Sequence, residues 1–498
     1  MTNVLGIDLG TSELKVLIMG VHGDVLAIAK SPLVWGQPRP GWAEQEPASW
    51  WDALLFACTE LAQAAPEAYS AIRAIGLSGQ MHGATVLDVD QRVLRPCILW
   101  NDSRSEAQCI ELTNSCEDLH KLTGNLAMPG FTAPKLLWLR EFEPELFRRV
   151  ESVLLPKDYL RLLLTGTQVS DMSDASGTLW LDVGKRAWSN TMLHATGLRE
   201  AHMPSLVEGC SVSGYLDKRA AQRLGLTSGI PVAGGAGDNA ASAIGIGAIK
   251  PGDSFISLGT SGVMFTVTEQ HHPNVNEAVH AFCHALPGVW HQMTVMLSAA
   301  SALRWITQTT GRASETHLMG EVEQLSARER EAAPVFLPYL SGERTPHNDA
   351  AASGVFLGLR HNHTAAHLAF AVIDGICLGM RDGLDALRRA GSQPTEFQLV
   401  GGGSRSMLWA QLMADALNAK IFIGQDSGVG AALGAARLGR LCETGTSEEW
   451  LSRVCRPPHM LHQFSPSEHG VRVSQHRQAI YRSAYQQLRP IFKLATSN

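Results

Sequence analysis

Short apolar runs that favour β-structure open the chain, and a similar pattern returns after residue 250. They predict a three-stranded meander and, later, a second strand pair: Val4–Leu9, Leu14–Met19, Val25–Lys30, Ser254–Leu258 and Val263–Val267. In both halves the first strand of the pair leads into a glycine followed by small hydroxyl residues, Gly10-Thr11-Ser12 and Gly259-Thr260-Ser261. Each turn is therefore predicted to join the two strands of a hairpin.

Such a turn can also bind an anion. A glycine beside small hydroxyl residues lets backbone N–H groups and side-chain oxygens converge on an anion without steric hindrance. One copy alone would more often be an ordinary hairpin turn, since short glycine motifs occur by chance. Because the turn occurs twice, in the two halves of the chain, we predict two duplicated domains that face one polyphosphate.

Between residues 47 and 83 the pattern changes from a helix to a strand. Pro47 and Ser49 mark a helix start, and apolar residues then recur near helical spacing up to Ala65. The run Ile72–Leu77 predicts a parallel strand that leads directly into Gln80-Met81-His82-Gly83. Since open α/β sheets bind their ligands where parallel strands end, this turn is predicted to carry binding groups.

The region from residue 95 to 232 is less regular, and we interpret it, with its polar cluster at 170–178, as insertions that build a substrate face. Later, the strand Phe397–Val400 ends in Gly401-Gly402-Gly403-Ser404. The pattern predicts that this turn opens a helix whose N-terminus can receive a nucleotide. A run of small residues at 428–436 predicts a helix packed closely on its neighbours.

Composition narrows the class of protein. A length of 498 residues predicts two domains, and 45% hydrophobic residues without a bilayer-length apolar run predict no membrane partner. The net charge of −6, without a basic stripe, argues against nucleic acid as a partner. Nine scattered cysteines without Cys-x-x-Cys spacing indicate neither a disulfide framework nor a zinc site. With no signal-peptide pattern at the N-terminus, we expect a cytoplasmic enzyme with reduced thiols.

Several stretches together resemble the FGGY carbohydrate kinases, a branch of the actin-like ATPase superfamily. They are the two hydroxyl turns, Gly401-Gly402-Gly403, Gly234–Asn239, Phe131–Trp138 and Phe356–Gly375. The resemblance covers nearly the whole chain. It implies an α/β fold of two actin-like (RNase H-like) ATPase domains, residues 1–247 and 248–498, with a nucleotide and sugar cleft between them. It also implies the use of ATP and Mg²⁺.

Four stretches narrow the substrate that this resemblance implies. Gln80–Gly83, Leu99–Asp102, Pro156–Tyr159 and Ser341–His347 are most similar to the family members that convert D-xylulose to D-xylulose 5-phosphate. Glycerol kinases carry an arginine-glutamate pair where this chain has Met81-His82. The partners implied are therefore D-xylulose and ATP, and a homodimer is left open.

The resemblance also implies roles for single residues. Asp238 matches the catalytic base of the family, and Met81, His82 and Asn239, together with Asp238 itself, match sugar-binding positions. Trp100, Asn101 and Asp102 are expected to add a wall and polar contacts. The positions that match nucleotide binding are Gly10, Thr11, Ser12, Lys15, Gly259, Thr260, Gly402 and Gly403.

The residues themselves leave alternatives open. Phosphoryl transfer to a hydroxyl needs a carboxylate that takes the proton, and Asp238 has little steric screening, but it could instead cap a helix. Asp8 ends a buried strand, where an ionised carboxylate favours a hydrated Mg²⁺, or it could bond to its own turn. Lys15 either contacts phosphate or is an outward, solvated lysine. His82 either binds sugar hydroxyls or is a structural histidine.

Other function classes also remain to be separated. Some family members contact the nucleotide through an asparagine after the late glycine pair, whereas here Arg405 or Ser406 would have to substitute. A kinase for L-ribulose or gluconate is the nearest alternative. An actin- or chaperone-like ATPase would have no reason to place polar binding groups at 80–82. A sugar-binding regulator with a decayed site would lack Asp8 or Asp238, and both are present.

Overall fold

The computed structural model of the chain describes residues 2–425 and 430–496. Two seven-stranded sheets form its centre, and helices pack against both. In chain order the strands are β1 (Asn3–Leu9), β2 (Glu13–Met19), β3 (Val25–Pro32), β4 (Glu44–Gln45), β5 (Ile72–Gly79), β6 (Thr85–Leu87), β7 (Cys97–Ile98), β8 (Ser152–Leu154), β9 (Val169–Asp171), β10 (Leu181–Asp182), β11 (Ala187–Trp188), β12 (Ser205–Val207), β13 (Val212–Tyr215), β14 (Pro231–Ala233), β15 (Ala236–Gly237), β16 (Ser254–Leu258), β17 (Gly262–Thr268), β18 (His280–Cys283), β19 (Trp290–Met296), β20 (Val335–Leu337), β21 (Val355–Leu357), β22 (Glu396–Val400), β23 (Lys420–Gly424) and β24 (Met460–Phe464).

The α-helices alternate with these strands. They are α1 (Ala48–Ala64), α2 (Pro66–Ser70), α3 (Glu106–Ser115), α4 (Leu119–Thr123), α5 (Thr132–Phe142), α6 (Pro144–Phe147), α7 (Pro156–Thr165), α8 (Met172–Ser176), α9 (Asn190–Ala195), α10 (Lys218–Leu224), α11 (Asp238–Ile246), α12 (Ala300–Thr309), α13 (Glu315–Glu323), α14 (Ala327–Glu331), α15 (Ala365–Arg389), α16 (Met407–Leu417), α17 (Gly430–Thr444), α18 (Glu448–Val454) and α19 (Glu468–Thr496). Short 3₁₀ turns lie at 200–202, 275–277 and 402–405.

The first sheet has the order β13-β14-β5-β1-β2-β3, with β15 also paired to β5. β1, β2 and β3 form the predicted antiparallel meander, and β5 is parallel to β1. β1 and β5 read as nearly continuous apolar runs because elements cover both faces of the sheet there. The predictions of the meander, of the helix after residue 47 and of the parallel strand are confirmed.

The second sheet has the order β18-β19-β17-β16-β22-β23-β24. Here too an antiparallel hairpin, β16 and β17, lies beside a parallel strand, β22. This repeats the arrangement of β1, β2 and β5 in the first sheet. The predicted duplication is therefore present in the topology as well as in the turn sequences.

Helix α17 comes from the last quarter of the chain but packs on the first sheet, against β1, β5 and α11. The contact is between backbones. A Cβ added to Gly76 would lie 1.7 Å from the carbonyl oxygen of Ala435, and one added to Gly434 would lie 1.7 Å from that of Ala241. The close packing predicted from small residues is confirmed for residues 430–436, whereas Gly428 and Val429 lie outside the described residues.

Two features of the second half bear on earlier expectations. The glycine turn after β22 does not open α16 directly, because a 3₁₀ turn, Gly402–Arg405, intervenes and Ser406 is the N-cap of the helix. That prediction is wrong in detail. The limits 1–247 and 248–498 stay a prediction, although α11 does end at Gly247, whose φ is 79°.

The remaining expectations concern thiols and membranes. All nine cysteines are free thiols, and eight of them are buried. Among the helices of residues 2–425 and 430–496, none is long and apolar enough to cross a bilayer. The location of the protein in the cell stays a prediction.

Candidate active site

Three strands of the first sheet end side by side and bring the two predicted carboxylates together. β1, β5 and β15 run parallel, with Asp8 opposite Ser78 and Gly237 opposite Gly79. Because parallel strands end at the same edge of a sheet, Asp8 and Asp238 share that edge although they lie far apart in sequence. Ser78 Oγ donates a hydrogen bond to Asp8 Oδ1 over 3.1 Å.

Asp238 is the first residue of α11, and Gly237 is the N-cap of that helix. The alternative interpretation, in which Asp238 caps the helix, is therefore wrong. Its Oδ1 accepts hydrogen bonds from the backbone N–H and from Nδ2 of Asn239, at 2.7 and 2.9 Å. Burial, and then the negative charge of Asp8, raise the pKa of Asp238 to about 7. A carboxyl group with a pKa near neutrality is suited to take a proton from an alcohol.

Lys15 lies opposite Asp8 in the β1–β2 register, so both side chains are on the same face. The Lys15 side chain is only 15% exposed, and its Nζ lies 3.6 Å from Glu13 Oε1. Burial raises the pKa of Asp8, and the charge of Lys15 partly offsets that rise. Lys15 is therefore not an outward, solvated lysine, and its contact with phosphate stays a prediction.

The donor set at this edge fits a magnesium ion. Asp8 and Asp238 are close enough that the charge of one raises the pKa of the other, and both keep a part of their surface open. Carboxylate oxygens are the hard ligands that Mg²⁺ prefers, and Mg²⁺ usually keeps several waters. Asp8, whose Oδ1 accepts from Ser78, could hold such an ion, and this role stays a prediction.

Two buried glutamines hold the first hydroxyl turn. Gly10 closes the hairpin by donating its N–H to the carbonyl oxygen of Glu13 at 3.0 Å. Thr11 Oγ1 donates to Gln80 Oε1 at 2.9 Å, and Gln45 Nε2 donates to the carbonyl oxygen of Thr11 at 3.0 Å. Gln80 Nε2 donates to Gln45 Oε1 at 3.1 Å, so the two amides form one network. Gln45 could not be found from the sequence, since it lies in a two-residue strand with no periodic signal.

The segment after β7 places Trp100 beside the first hydroxyl turn, and its role as a wall for the sugar stays a prediction. Trp100 is 45% exposed, and its Nε1 donates to Thr11 Oγ1 at 3.0 Å, so the indole stands beside the turn as a wall. Ser12 is exposed on the same turn. Asp102, by contrast, is buried and paired with Arg104 at 2.7 Å, so the expectation of a polar ligand contact from Asp102 is wrong.

Met81 and His82 follow β5 and lie next to the base. A Cβ added to Gly237 would lie 2.8 Å from the Met81 sulfur, so Met81 covers the residue before Asp238. His82 Nδ1 lies 2.7 Å from the carbonyl oxygen of Gly177. A carbonyl can only accept, so Nδ1 carries the proton and Nε2 keeps its lone pair. Burial lowers the pKa of His82 to about 3, and the ring is therefore neutral and able to accept from a hydroxyl.

The position of His82 is fixed by both halves of the chain. Its ring meets Phe131 edge-on at a centroid distance of 4.6 Å, and Phe282 of β18 lies 6.4 Å away. The His82 backbone is left-handed, with φ 70°, an uncommon conformation for a residue other than glycine. Lys135 Nζ and Thr132 Oγ1 donate to its carbonyl oxygen at 2.8 and 3.1 Å and so stabilise this conformation.

Helix α8 brings two residues to the site that no motif singled out. Ser173 Oγ accepts the N–H of Gly237 at 3.2 Å, and Gly177, which follows α8, accepts the His82 bond. A five-residue helix is too short to produce a periodic signal. The polar cluster at 170–178 was the one feature of the sequence that pointed to this segment.

The second hydroxyl turn is held by the start of α12. Gly259 donates its N–H to the carbonyl oxygen of Ser261 at 3.0 Å. The carbonyl oxygen of Thr260 accepts from the N–H of Ala299 at 3.0 Å and from Ser301 Oγ at 2.8 Å, while the residue itself is exposed. The turn is thus rigid and open on its outer side.

The late glycines lie at the same edge of the second sheet, since β22 is parallel to β16. A Cβ added to Gly401 or Gly403 would lie 2.7 Å from Leu258, the last residue of β16, whereas Gly402 is exposed. The backbone at these glycines therefore approaches the second turn closely. Ser406 Oγ accepts the N–H of Trp409 at 3.2 Å as a helix cap.

The two sheets share one arrangement of strands, and each has a rigid glycine–hydroxyl turn at one edge. With the carboxylate pair beside the first turn, they define a two-domain α/β kinase fold. Comparison with known families agrees. Residues 3–245 match the N-terminal domain, and residues 254–441 the C-terminal domain, of the FGGY family of carbohydrate kinases. The chain belongs to the FGGY family of carbohydrate kinases.

Similar proteins carry names within this family. A xylulose kinase of Escherichia coli (strain K12) is 45% identical over 488 residues, which cover 98% of this chain and 99% of that protein. A crystal structure of a xyloylose kinase from Brucella ovis is 47% identical, with a TM-score of 0.94 over 98% of this chain and 100% of that one. A gluconate kinase from Lactobacillus acidophilus is 25% identical, with a TM-score of 0.90 over 98% of both chains. The fold therefore extends across kinases named for different substrates.

Proposed function

We propose that this protein transfers the γ-phosphoryl group of ATP to D-xylulose and releases D-xylulose 5-phosphate and ADP. The observation that carries this proposal is the neutral His82 ring, whose Nδ1 bonds to Gly177 and whose Nε2 is left as an acceptor, directly beside Met81 and the Asp238 edge. An acceptor and an apolar thioether suit a polyhydroxylated carbon chain. The relatives named xylulose kinase, at 45% and 47% identity, support the same substrate.

In this proposal Asp238 is the general base. Its Oδ1 is held by Asn239, so Oδ2 takes the proton from the terminal hydroxyl of the sugar as that oxygen attacks phosphorus. Asn239, which holds the base through its amide, would also contact the sugar. Met81 forms an apolar wall against the carbon face of the substrate, and His82 Nε2 accepts a hydrogen bond from one of its hydroxyls.

The nucleotide would lie between the two hydroxyl turns. The backbone N–H groups of Thr11, Ser12 and Thr260, the hydroxyls of Ser12 and Thr260, and the open backbone at Gly402 would donate to phosphate oxygens. The N–H groups of Gly10 and Gly259 close their own turns and so hold these donors in place. Lys15 would add a positive charge near them. Mg²⁺, which Asp8 would hold through water, supplies neutralisation of phosphate charge when bound.

The decisive measurement is ADP release with ATP and Mg²⁺ over a panel of D-xylulose, D-ribulose, L-ribulose, gluconate, xylitol and glycerol. We expect the highest kcat/KM with D-xylulose. A preference for L-ribulose or gluconate would leave the kinase proposal standing but would assign another substrate. Gluconate is included in the panel because the fold is similar to that of a gluconate kinase. Turnover that no sugar stimulates would contradict the kinase proposal and favour an ATPase.

The domain limits, 1–247 and 248–498, and a homodimer belong to the same proposal. Analytical ultracentrifugation at several protein concentrations distinguishes a dimer from a monomer. Sedimentation as a monomer at all concentrations would exclude the dimer without affecting the proposed reaction.

A further inference from the structure

A fully buried cluster of charges lies directly beneath the site. Lys157 Nζ is 2.6 Å from Asp158 Oδ1, 2.6 Å from Asp171 Oδ2 and 3.1 Å from Asp174 Oδ2. Arg161, one turn further along α7, lies 3.3 Å from Asp158. The exposure of all five side chains is 0%. Charges without access to water are costly to bury, so this cluster needs an explanation other than stability.

The charges of the cluster can balance without any further partner. Two cations face three carboxylates, and burial together with the neighbouring carboxylates raises the pKa of Asp174 well above its ordinary value. With Asp174 protonated, two positive charges meet two negative ones. The ammonium of Lys157 lies among the three carboxylates and is the cation that all of them share.

One branch of the network reaches the residue before the base. Asp171 is the N-cap of α8, and its Oδ1 accepts the N–H and the Oγ–H of Ser173 at 2.8 and 2.5 Å. Ser173 Oγ in turn accepts the N–H of Gly237 at 3.2 Å. An unbroken chain of contacts therefore runs from Lys157 through Asp171 and Ser173 to the backbone N–H of Gly237, the residue before Asp238.

Arg161 holds the strand that leads to the same peptide. Its guanidinium donates to the carbonyl oxygens of Ala233 and Gly234, at 2.6 and 2.5 Å. Residues 233–237 are thus hydrogen-bonded to Arg161 at one end and to Ser173 at the other, and the charged cluster orients both of these side chains. This segment contains glycines at 234, 235 and 237, and Gly235 has a φ of 76°, so it would have little conformational preference of its own.

The other end of α8 reaches the sugar-binding side. Gly177 follows the helix and accepts the hydrogen bond of His82 Nδ1. α8 therefore contacts the residue before the base at one end, through Ser173, and the histidine at the other, through Gly177. A shift of this five-residue helix would displace both groups together.

We propose that α8 is a shared support for Asp238 and His82, and that Lys157 is a positioning residue that acts on both through Asp171. The proposal rests on the assignment of Asp238 as base and His82 as sugar contact. Catalytic groups must be held within a few tenths of an ångström of their productive position, and a displacement of about 1 Å can lower the rate about 100-fold. The buried charges supply that precision here.

The test compares three variants with the wild-type chain in kcat, KM for D-xylulose, KM for ATP and thermal unfolding. Ser173→Ala removes the hydroxyl that accepts the Gly237 N–H and donates to Asp171 Oδ1. We expect kcat to fall about 10-fold or more with KM for ATP unchanged. Lys157→Met removes the ammonium and is expected to lower kcat and to raise KM for D-xylulose together. Ser189→Ala is the matched control, since Ser189 in the same half is also a buried serine whose hydroxyl accepts a backbone N–H, that of Met192 at 3.3 Å.

Wild-type kinetics for Ser173→Ala would overturn the proposal, and so would an equal loss in Ser189→Ala, which would assign the effect to folding. If Lys157→Met does not fold, Ser173→Ala decides alone. Asp238→Asn is measured in the same series. If that variant retained turnover, the assignment of Asp238 as the base would be overturned. If it were inactive while Ser173→Ala and Lys157→Met had normal kinetics, only the supporting role of α8 would be overturned.

Discussion

The imidazole of His82 donates its Nδ1 proton to the carbonyl oxygen of Gly177, at 2.7 Å, and the absence of a side chain at Gly177 leaves room for that ring. A Cβ at Gly177 would lie 2.5 Å from Nδ1 and Cε1 of His82 and 2.9 Å from Cε of Met81. The backbone there, with φ −79°, would accept alanine without strain. The glycine is therefore required by the neighbouring ring and not by the local conformation.

Gly177→Ala should consequently impair sugar use and spare the nucleotide. The added methyl group pushes both His82 and Met81 from their positions, and we expect KM for D-xylulose to rise about 10-fold or more, in the range typical of a lost polar contact. Steady-state kinetics with each substrate varied in turn measures the effect. Gly320→Ala is the control, because a Cβ there meets open space. A similar rise in KM for ATP would contradict the prediction.

His82→Asn tests the ring itself. Asparagine tolerates the left-handed backbone at this position better than alanine does, so the change removes the imidazole with little backbone strain. We expect kcat/KM for D-xylulose to fall by a factor that corresponds to about 1–3 kcal/mol of transition-state stabilisation, the usual cost of an unpaired polar group. The affinity for ATP should be retained. Isothermal titration with a nonhydrolysable ATP analogue checks the second part. Equal losses for both ligands would return His82 to a structural role.

Asp238→Ala should lower kcat by about two to four orders of magnitude while nucleotide binding stays nearly intact, since general-base catalysis contributes on that scale. Single-turnover kinetics separates the chemical step from product release. A variant that kept most of its turnover would remove Asp238 from the chemistry.

The same carboxylate should lower stability at neutral pH. Its pKa is raised to about 7 in the folded protein, by burial and then by Asp8, whereas an unfolded aspartate titrates near 4. Between about pH 4 and pH 7, Asp238 is ionised in the unfolded state but still protonated in the folded state. The wild-type protein therefore loses stability as the pH rises through this range. Asp238→Asn lacks this loss. Its gain in unfolding free energy should grow over that range to about 4 kcal/mol and then stay constant.

Thermal melts of the wild-type protein, Asp238→Asn and Asp52→Asn at pH 5, 6, 7 and 8 give the comparison. Asp52 is an exposed aspartate on α1 and serves as the control. A stabilisation by Asp238→Asn that is the same at every pH would show that the ionised carboxylate carries no such cost.

Closure of the two halves is the last prediction. Each hydroxyl turn belongs to its own sheet, so both can reach one nucleotide only if the halves approach each other. We expect small-angle scattering to show a smaller radius of gyration with D-xylulose and a nonhydrolysable ATP analogue together than with either alone. An unchanged radius in all four states would exclude the hinge motion and leave the kinase proposal standing.

The sequence predicted well those parts of the site whose physics is local. The hairpins at residues 3–19 and 254–268 follow from apolar strands and glycine turns, and their predicted ends agree with the structure within a residue or two. Asp8 was found because it ends a buried strand, and Asp238 because it follows an apolar run and matches the base of the family. Their meeting at one edge then follows from the parallel pairing of β1, β5 and β15.

The remainder depended on contacts between segments distant in the chain. Lys157 and Arg161 would be placed on the surface by any hydrophobicity argument, yet their exposure is 0% because three carboxylates and several carbonyls surround them. Gly177 looks like an unremarkable glycine until the ring of His82 is seen against it. Likewise, the small residues of α17 predicted close packing but could not identify the sheet on which the helix packs.

That helix has a consequence for biosynthesis. The strands β1 and β5 leave the ribosome early, but the helix that covers them, α17, is encoded some 350 residues after β5. Until Gly430–Thr444 has been translated, one face of the first sheet, with glycines 6 and 76 on it, must stay uncovered. The N-terminal half therefore cannot complete its folding until most of the chain has been translated, and a fragment that stops at residue 247 should bind chaperones or aggregate unless a peptide of residues 430–444 is supplied in trans.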